Sequence, residues 1–251
     1  AKLPGPWAAW VDVSQRLHVL NLTRGGGYVR YLQLPEDAPT EGWHRPIWID
    51  ESHLVATHPA GRVVSAALRA EGDLYYVELV KNIDAGSGFA SPPLKIGESL
   101  WLATTDGRCL AIDSRSLSTT AAVPLSALAV TPLASLASEM DARFAVGLAN
   151  GPVAIVSAGA PPAVVAEIEI GKSVAHLSAD SAKGRLIATD GRGKVFEIDA
   201  DGAILRTATL PAEESAAPLP WARSVLVPLR NGGLARLWND AEPKPAGEQR
   251  P

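Results

Sequence analysis

A glycine-centred turn between two apolar segments recurs along this chain at a nearly constant interval. Six copies are present, and their turn glycines are Gly25, Gly61, Gly107, Gly151, Gly191 and Gly232. The first interval is 36 residues, and the next four are 46, 44, 40 and 41 residues. A period near 40 to 45 residues with several strands per period is typical of β-propellers. The repeat therefore predicts small β-sheets stacked around a common axis.

The residues before the glycines indicate the kind of turn. Asp106, Asn150, Asp190 and Asn231 each stand directly before a turn glycine. Asn-Gly and Asp-Gly accept the positive φ of a tight two-residue hairpin at little steric cost. The flanking segments are rich in Val, Ile, Leu and Thr, which favour strands. Each copy is therefore predicted to form an antiparallel hairpin.

Each period has room for two more strands. An apolar segment precedes each of the last five hairpins, at 46–49, 92–96, 130–136, 174–177 and 217–220. Another follows the hairpin in four copies, at 74–79, 119–123, 164–170 and 204–210. Helical repeats of similar length need long amphipathic helices, which the Pro and Gly distribution disfavours. Four strands per period make one propeller blade.

The predicted fold is a single all-β propeller spanning residues 1–240. It has about six four-stranded blades if both chain ends form their own blade, and five if the two ends share one. Residues 241–251 contain almost no apolar side chains and are predicted to form a flexible C-terminal tail.

Composition argues against several classes of function. The net charge of −4, without a basic cluster, argues against nucleic-acid binding, which requires concentrated positive charge. No segment approaches the roughly 18 consecutive apolar residues of a membrane span. The single cysteine, Cys109, excludes an internal disulfide framework. Cysteine content leaves the compartment open, and we favour the cytoplasm over the periplasm or secretion.

Two copies share a more specific form. Thr105–Asp113 and Thr189–Asp199 each contain Asp-Gly followed by a strand that ends in Ile-Asp. This form resembles the quinoprotein-like (PQQ-like) and WD40-like propeller superfamily, and Trp238 stands where a WD40 repeat places the Trp of Trp-Asp. The resemblance implies the architecture only. The tryptophan-docking signature and paired cysteines of quinoprotein dehydrogenases are absent, so no cofactor is predicted.

Two sets of residues are candidates for an interaction face. Arginine recurs beside the turns, at Arg24, Arg62, Arg108, Arg192 and Arg230. A ring of guanidinium groups on one propeller face would recognise an acidic partner, although each arginine could instead solvate its own turn. Tryptophan is enriched at binding hot spots, and three lie near irregular segments: Trp7, Trp10 and Trp43.

No catalytic motif is present. The chain lacks Gly-x-Ser-x-Gly, its histidines lack metal-ligand spacing, and Cys109 falls inside a predicted strand. We therefore expect a non-catalytic protein–protein interaction or scaffolding module within a larger assembly, such as the bacterial assemblies that pair propellers with ATPases. One alternative is a calcium-dependent, lactonase-like hydrolase with channel ligands from Asp50, Glu51, Glu98 and Asp180. A small-ligand or glycan-binding propeller is another.

Overall fold

A computed structural model describes residues 7–22, 29–35, 42–72, 74–136, 142–221 and 223–238. Within these ranges the chain forms strands and turns and contains no helix. The strands pair into six sheets, which we number blades 1 to 6 in chain order. The predicted all-β propeller of about six blades is confirmed.

The first two blades are interlinked. Blade 1 contains β1 (Trp7–Val11), β2 (Arg16–Asn21) and β4 (Leu32–Gln33). Blade 2 contains β5 (Ile47–Trp48), β6 (His53–Thr57), β7 (Arg62–Glu71) and β8 (Leu74–Asp84). The short strand β3 (Val29–Arg30) leaves blade 1 and pairs in parallel with β8, so that blade 2 has five strands. The blade 1 chain therefore covers the outer edge of blade 2.

The next three blades have four antiparallel strands each. Blade 3 contains β9 (Leu94–Ile96), β10 (Ser99–Ala103), β11 (Arg108–Asp113) and β12 (Thr119–Pro124). Blade 4 contains β13 (Ala134–Ser135), β14 (Arg143–Gly147), β15 (Pro152–Ser157) and β16 (Ala163–Glu169). Blade 5 contains β17 (His176–Asp180), β18 (Arg185–Thr189), β19 (Lys194–Asp199) and β20 (Ile204–Thr209).

The two ends of the chain form separate blades. Blade 6 contains β21 (Leu219–Trp221), β22 (Ser224–Pro228) and β23 (Leu234–Leu237). Because no strand of blade 1 belongs to this sheet, the described residues make six blades and not five. Each predicted inner and outer segment overlaps a strand. The predicted tail, 241–251, lies outside the described residues, and the extent of the domain to residue 240 stays a prediction.

The hairpin turns have three residues and not the predicted two. In blade 3 the N–H of Thr104 donates to the carbonyl of Arg108 at 2.8 Å, which leaves residues 105–107 as the loop. Only the glycine has positive φ, +83° at Gly107, whereas Asp106 does not. A three-residue loop with a left-handed glycine at its third position is a common hairpin closure. In blades 2, 3, 4 and 6 the recurring glycine fills this third position. In blade 1 the equivalent hairpin runs from Asp12 to Arg16 and has Gln15 there, with a φ of +58°, whereas the predicted first turn at Gly25 lies outside the described residues.

Blade 5 differs from the predicted alignment of the turns. The N–H of Asp190 donates to the carbonyl of Lys194 at 3.2 Å, so Asp190 matches Thr104 of blade 3, and Gly193 matches Gly107. The carboxylate of Asp190 accepts the N–H groups of Arg192 and Lys194, both at 2.9 Å. Aligning the repeats on Asp-Gly therefore places this turn two residues too early. The hydrogen bonds that the Asp190 side chain accepts from the loop backbone set the geometry of the turn, and the Asp-Gly dipeptide does not.

The core lies between the blades. Five clusters of buried apolar side chains join blade 1 to 2, 2 to 3, 3 to 4, 4 to 5 and 5 to 6. In blade 4, for example, Phe144 and Val146 face blade 3, while Ala145 and Ile155 face blade 5. Burial of both faces explains why the central strands of interior blades are continuous apolar runs instead of alternating ones.

The segments that connect the blades pack against the hairpin turns. Ala149, in the turn of blade 4, donates its N–H to the carbonyl of Leu128 in the segment entering that blade, at 2.8 Å. Gly151 of the same turn packs directly against the backbone of Gly171 in the segment leaving it. Each connection therefore lies between the turns of two successive blades and holds these turns at one end of the propeller.

Candidate interaction surfaces

The turn arginines in the described ranges occupy different positions in their hairpins. Arg62 and Arg108 both begin the third strand of their blades. Arg192 lies at the centre of the blade 5 loop, and Arg230 is the first loop residue of blade 6. Arg24 lies outside the described residues.

Two of these arginines bind neighbouring carboxylates. Arg108 forms an ion pair with Asp106, and its Nε lies 3.1 Å from the Asp106 carboxylate. Hydrogen bonds from Arg108 and Thr104 lower the pKa of Asp106 to about 2. Arg230 lies 2.9 Å from the carboxylate of Glu213. At both positions the charge of the guanidinium is largely balanced locally.

The three candidate tryptophans have different surroundings. Trp7 and Trp43 are half-buried and pack against the cluster between blades 1 and 2. Trp10 lies on the opposite face of β1 and is 44 % exposed. The sequence analysis did not single out Trp221, which is 61 % exposed on the first strand of blade 6. The residues around each tryptophan do not indicate whether its side chain is exposed, because exposure depends on which neighbouring blade packs against that face of the strand.

A tyrosine-lined cleft lies where β3 meets the outer strand of blade 2. Two adjoining cavities of about 420 and 650 Å³ share Arg30, Tyr31 and Tyr76 in their walls. The larger is also lined by Tyr75 and by Leu74, which is 72 % exposed. We call the combined surface the tyrosine cleft and define it by the residues Arg30, Tyr31, Glu71, Leu74, Tyr75 and Tyr76.

The wall of the tyrosine cleft continues onto the face of blade 1 opposite the cluster shared with blade 2. Tyr31 packs beside His18 with ring centroids 5.7 Å apart, and the guanidinium of Arg16 lies 4.8 Å from the Tyr31 ring centre. On its other side, His18 stacks on Trp10 at 5.1 Å. His18 also bonds to the carboxylate of Asp12 at 2.8 Å, and this hydrogen bond lowers the pKa of Asp12. Mutual stacking and the ion pair hold these aromatic groups in fixed positions.

A smaller cavity of about 340 Å³ lies between blades 2 and 3. Its lining includes Asp50, His53, Ser65, Ser114 and Arg115. The carboxylate of Asp50 accepts the backbone N–H of His53 at 2.8 Å and contacts the imidazole Nδ1 at 3.0 Å. Burial by itself raises the pKa of Asp50, but hydrogen bonds from the backbone N–H of Ser52 and from the imidazole and backbone N–H of His53 outweigh it and bring the pKa to about 2. Asp50 therefore orders its own turn and stays ionised.

Three of the four carboxylates considered as calcium ligands contact basic side chains. Glu98 lies 3.7 Å from Arg115, and Asp180 lies 3.3 Å from Lys183, while Asp50 binds His53. Among the described residues, no three His, Cys, Asp or Glu side chains come close enough together to hold a metal ion. The thiol of Cys109 is fully buried in β11, and burial raises its pKa to about 12. In the part of the chain that the structure describes, no helix could span a membrane.

No protein-family model and no curated protein matches the chain by sequence. Solved propellers match its structure. BamB from Moraxella catarrhalis matches with a TM-score of 0.64 and 13 % identity over 94 % of this chain and 68 % of that one. BBS1N, solved in complex with ARL6DN, matches with a TM-score of 0.65 and 14 % identity over 92 % and 72 %. The Swd1 β-propeller domain of Myceliophteria thermophila matches with 0.65 and 13 % over 93 % and 79 %.

These identities are low, and the matches show the fold alone. They agree with six stacked sheets, with turns at one end and with a core between blades. The chain is a β-propeller whose architecture resembles that of the quinoprotein-like and WD40-like propellers.

Proposed function

We propose that this chain is a protein–protein interaction module and that the tyrosine cleft is its docking site. The observation that carries the proposal is the gathering of Tyr31, Tyr75 and Tyr76 around one open cleft. Tyrosine supplies a large, amphipathic contact area at low conformational cost and is enriched at binding hot spots. The complex of BBS1N with ARL6DN is an instance in which a structurally similar propeller binds a protein.

The lining of the cleft supports one class of partner. Leu74 and the tyrosine rings offer an apolar floor for one or two side chains of the partner. The exposed Arg30 at the rim suits a carboxylate next to those side chains. The occupant we propose is therefore a protein segment that combines an aromatic or aliphatic anchor with an acidic residue.

Affinity capture from the native source, followed by mass spectrometry, tests this assignment. Tyr76→Ala and Leu74→Asp are expected to lose a partner that the unaltered chain retains, by at least tenfold in yield. Leu205→Asp is the matched control, because Leu205 is also an exposed leucine, 43 % accessible, but lies on β20 of blade 5. Equal retention by all variants, with unchanged melting temperatures, would show that the cleft is not the docking site.

The aromatic lining of a shallow cleft also suits a sugar ring, so glycan binding is the second candidate. A glycan array separates the two functions. Saturable binding of one glycan class, lost in Tyr76→Ala, would replace the protein partner by a carbohydrate. Stoichiometric calcium in the purified protein, together with hydrolysis of a lactone, would instead favour the enzyme alternative.

The predicted arginine face is kept as a secondary contact. Since Arg108 and Arg230 already bind carboxylates, an acidic partner would have to compete with Asp106 and Glu213. We expect Arg192→Ala to weaken capture of the partner less than Tyr76→Ala does. A larger effect of Arg192→Ala would move the principal contact to the turn face.

A further inference from the structure

The cavity of about 340 Å³ between blades 2 and 3 has a lining that the proposed function does not use. It lies at the end of the propeller opposite the hairpin turns, because His53 begins β6 and Ser114 directly follows β11. Its volume falls within the range of small-molecule pockets, roughly 300–1,000 Å³. Ile49 and Val80 contribute apolar wall. The cavity is therefore large enough for a small organic molecule.

One residue of the wall has a buried hydroxyl without a partner. Ser114 is 2 % exposed, and its backbone N–H donates to the carbonyl of Glu98 at 2.9 Å. Among the described residues, the Oγ of Ser114 has no hydrogen-bond partner. A buried hydroxyl is costly to leave unpaired, and most such groups in folded proteins are bonded. This hydroxyl in a cavity wall therefore points to a polar ligand.

A second serine occupies a position that is apolar in the next two blades. Ser65 lies just before the register shift between β7 and β8, is 4 % exposed and lines the cavity. The residues at the same shift are Ala111 in blade 3 and Ile155 in blade 4. In blade 5 the residue there is Glu197, which binds two arginines. Blade 2 therefore places a hydroxyl on a part of the sheet that elsewhere packs or forms ion pairs.

The cavity wall also carries one positive and one negative side chain. Arg115 is 79 % exposed, and its Nε lies 3.7 Å from the Glu98 carboxylate, too far for a hydrogen bond. Asp50 is ionised, and its Oδ1 accepts the N–H groups of Ser52 and His53, both at 2.8 Å. Its Oδ2 contacts Nδ1 of His53 at 3.1 Å. Because a carboxylate oxygen can accept two hydrogen bonds, Oδ2 can take another donor.

We propose that this cavity binds a free α-amino acid with an aliphatic side chain. The guanidinium of Arg115 and the hydroxyl of Ser114 bind its carboxylate, and Oδ2 of Asp50 accepts its ammonium. Its side chain packs on Ile49 and Val80. A zwitterion matches a wall with one charge of each sign, whereas Asp50 would repel a simple anion and Arg115 a simple cation.

This inference concerns a different surface from the tyrosine cleft and does not depend on the proposed function. Two residues of blade 2 separate the sites along β8, since Tyr76 lines the cleft and Val80 lines the cavity. Loss of a protein partner in Tyr76→Ala and loss of an amino acid at the cavity are therefore separate results.

An NMR titration of the intact chain with L-leucine tests the ligand class. Saturable shifts of the backbone amides of Ser114, Arg115 and His53 are expected. N-acetyl-leucine lacks the ammonium and leucinamide lacks the carboxylate, so each should bind at least tenfold more weakly than L-leucine. The ligand analogue tests the contact with Asp50 because Asp50→Asn would disturb its own turn. No saturable response to L-leucine or L-valine, or equal binding of either analogue, would overturn the proposal.

Variants test the carboxylate contacts. Ser114→Ala and Arg115→Met are each expected to weaken L-leucine binding at least tenfold. Ser178→Ala is the matched control for the serine, because its Oγ on β17 is also buried without a partner in the described part of the chain. Arg230→Met is the control for the arginine, since Arg230 is likewise exposed beside a carboxylate. Both controls should bind L-leucine as the unaltered chain does.

Melting temperatures separate lost binding from lost structure. Ser114→Ala and Ser178→Ala each remove a hydroxyl that the fold leaves unpaired, so neither should melt below the unaltered chain. A lower melting temperature for Ser114→Ala alone would show that its hydroxyl has a structural role, and this would overturn the proposal. Undiminished binding of L-leucine by Ser114→Ala or by Arg115→Met, or equal losses in the controls, would overturn it as well.

Discussion

Gly151 and Gly232 occupy the same position in two hairpins but have different neighbours, and replacing each with alanine tests how the turns hold the blades. Both are third loop residues, and their N–H groups donate at 3.0 Å to the carbonyls of Leu148 and Leu229, the residues directly before the loops. Both have positive φ, +107° at Gly151 and +81° at Gly232. A Cβ at Gly232 meets nothing within 4 Å. A Cβ at Gly151 would lie 2.9 Å from the carbonyl carbon of Gly171 and closer to its oxygen.

The expected loss of stability in each variant follows from the environment of the glycine that is replaced. Positive φ costs an alanine about 1–2 kcal/mol at either site. Displacing the backbone of Gly171 adds about 2–3 kcal/mol at Gly151 only, a value typical of overpacking. Because about 1 kcal/mol shifts the melting temperature of a chain this long by about 2–4 °C, Gly232→Ala should lower it by about 5 °C and Gly151→Ala by about 12 °C.

Urea unfolding followed by tryptophan fluorescence, with a calorimetric melting curve, measures both variants. The unfolding midpoint is expected to fall while the slope of free energy against urea stays constant. If Gly151→Ala and Gly232→Ala destabilise the protein equally, the connecting segment does not pack on the turn as described. The same result would refute the reasoning that these contacts hold the turns of successive blades together.

Three further predictions concern ionisable groups. Asp106→Asn is expected to lower the melting temperature at neutral pH, and its difference from the unaltered chain should disappear as the pH falls from about 4 through 2. The reason is that the pKa of Asp106 in the folded protein is about 2, and the stability contributed by a carboxyl with a lowered pKa is lost when that carboxyl is protonated. A constant difference in melting temperature across this pH range would contradict the prediction. Glu197 is buried between two arginines, whose hydrogen bonds overcome the effect of burial and lower its pKa. Glu197→Gln should therefore lower the free energy of unfolding in urea by about 3 kcal/mol, whereas Glu78→Gln, at an exposed ion pair, should lower it by less than about 1 kcal/mol. Similar losses in the two variants would show that burial of the ion pair does not matter. Cys109 should react with a thiol reagent only in denaturant, because it is buried and its pKa is raised to about 12; rapid labelling of the folded chain would disprove this.

Much of the blade architecture was predictable because it depends on local chemistry. Glycine at Gly61, Gly107 and Gly151 marks the positions where the backbone must adopt positive φ, and apolar segments flank each turn. The turn type was wrong in detail, since Asp106 does not share the positive φ. In blade 5, Asp190 binds the backbone of its own loop and shifts the turn by two residues, which no dipeptide pattern shows.

The candidate surfaces were far less predictable. Tyr31 and Tyr76 are separated by 45 residues, and only the parallel pairing of β3 with β8 brings them into one cleft. Trp7 and Trp10 are three residues apart on β1 and therefore lie on opposite faces, but only the packing of blade 1 on blade 2 decides that Trp7 is on the buried one. Periodicity reports that two faces exist, whereas the arrangement of the blades decides which face remains open.

The amino-acid sequence by itself determined the strand type, a blade number of about six and the hairpins of blades 2, 3, 4 and 6, because turn chemistry and side-chain alternation act over a few residues. Tertiary structure alone decided where β3 pairs, which carboxylates bind arginines and which large side chains, such as Trp10 and Trp221, are exposed. These outcomes depend on contacts between segments far apart in the chain, and such contacts are set by the packing of whole sheets.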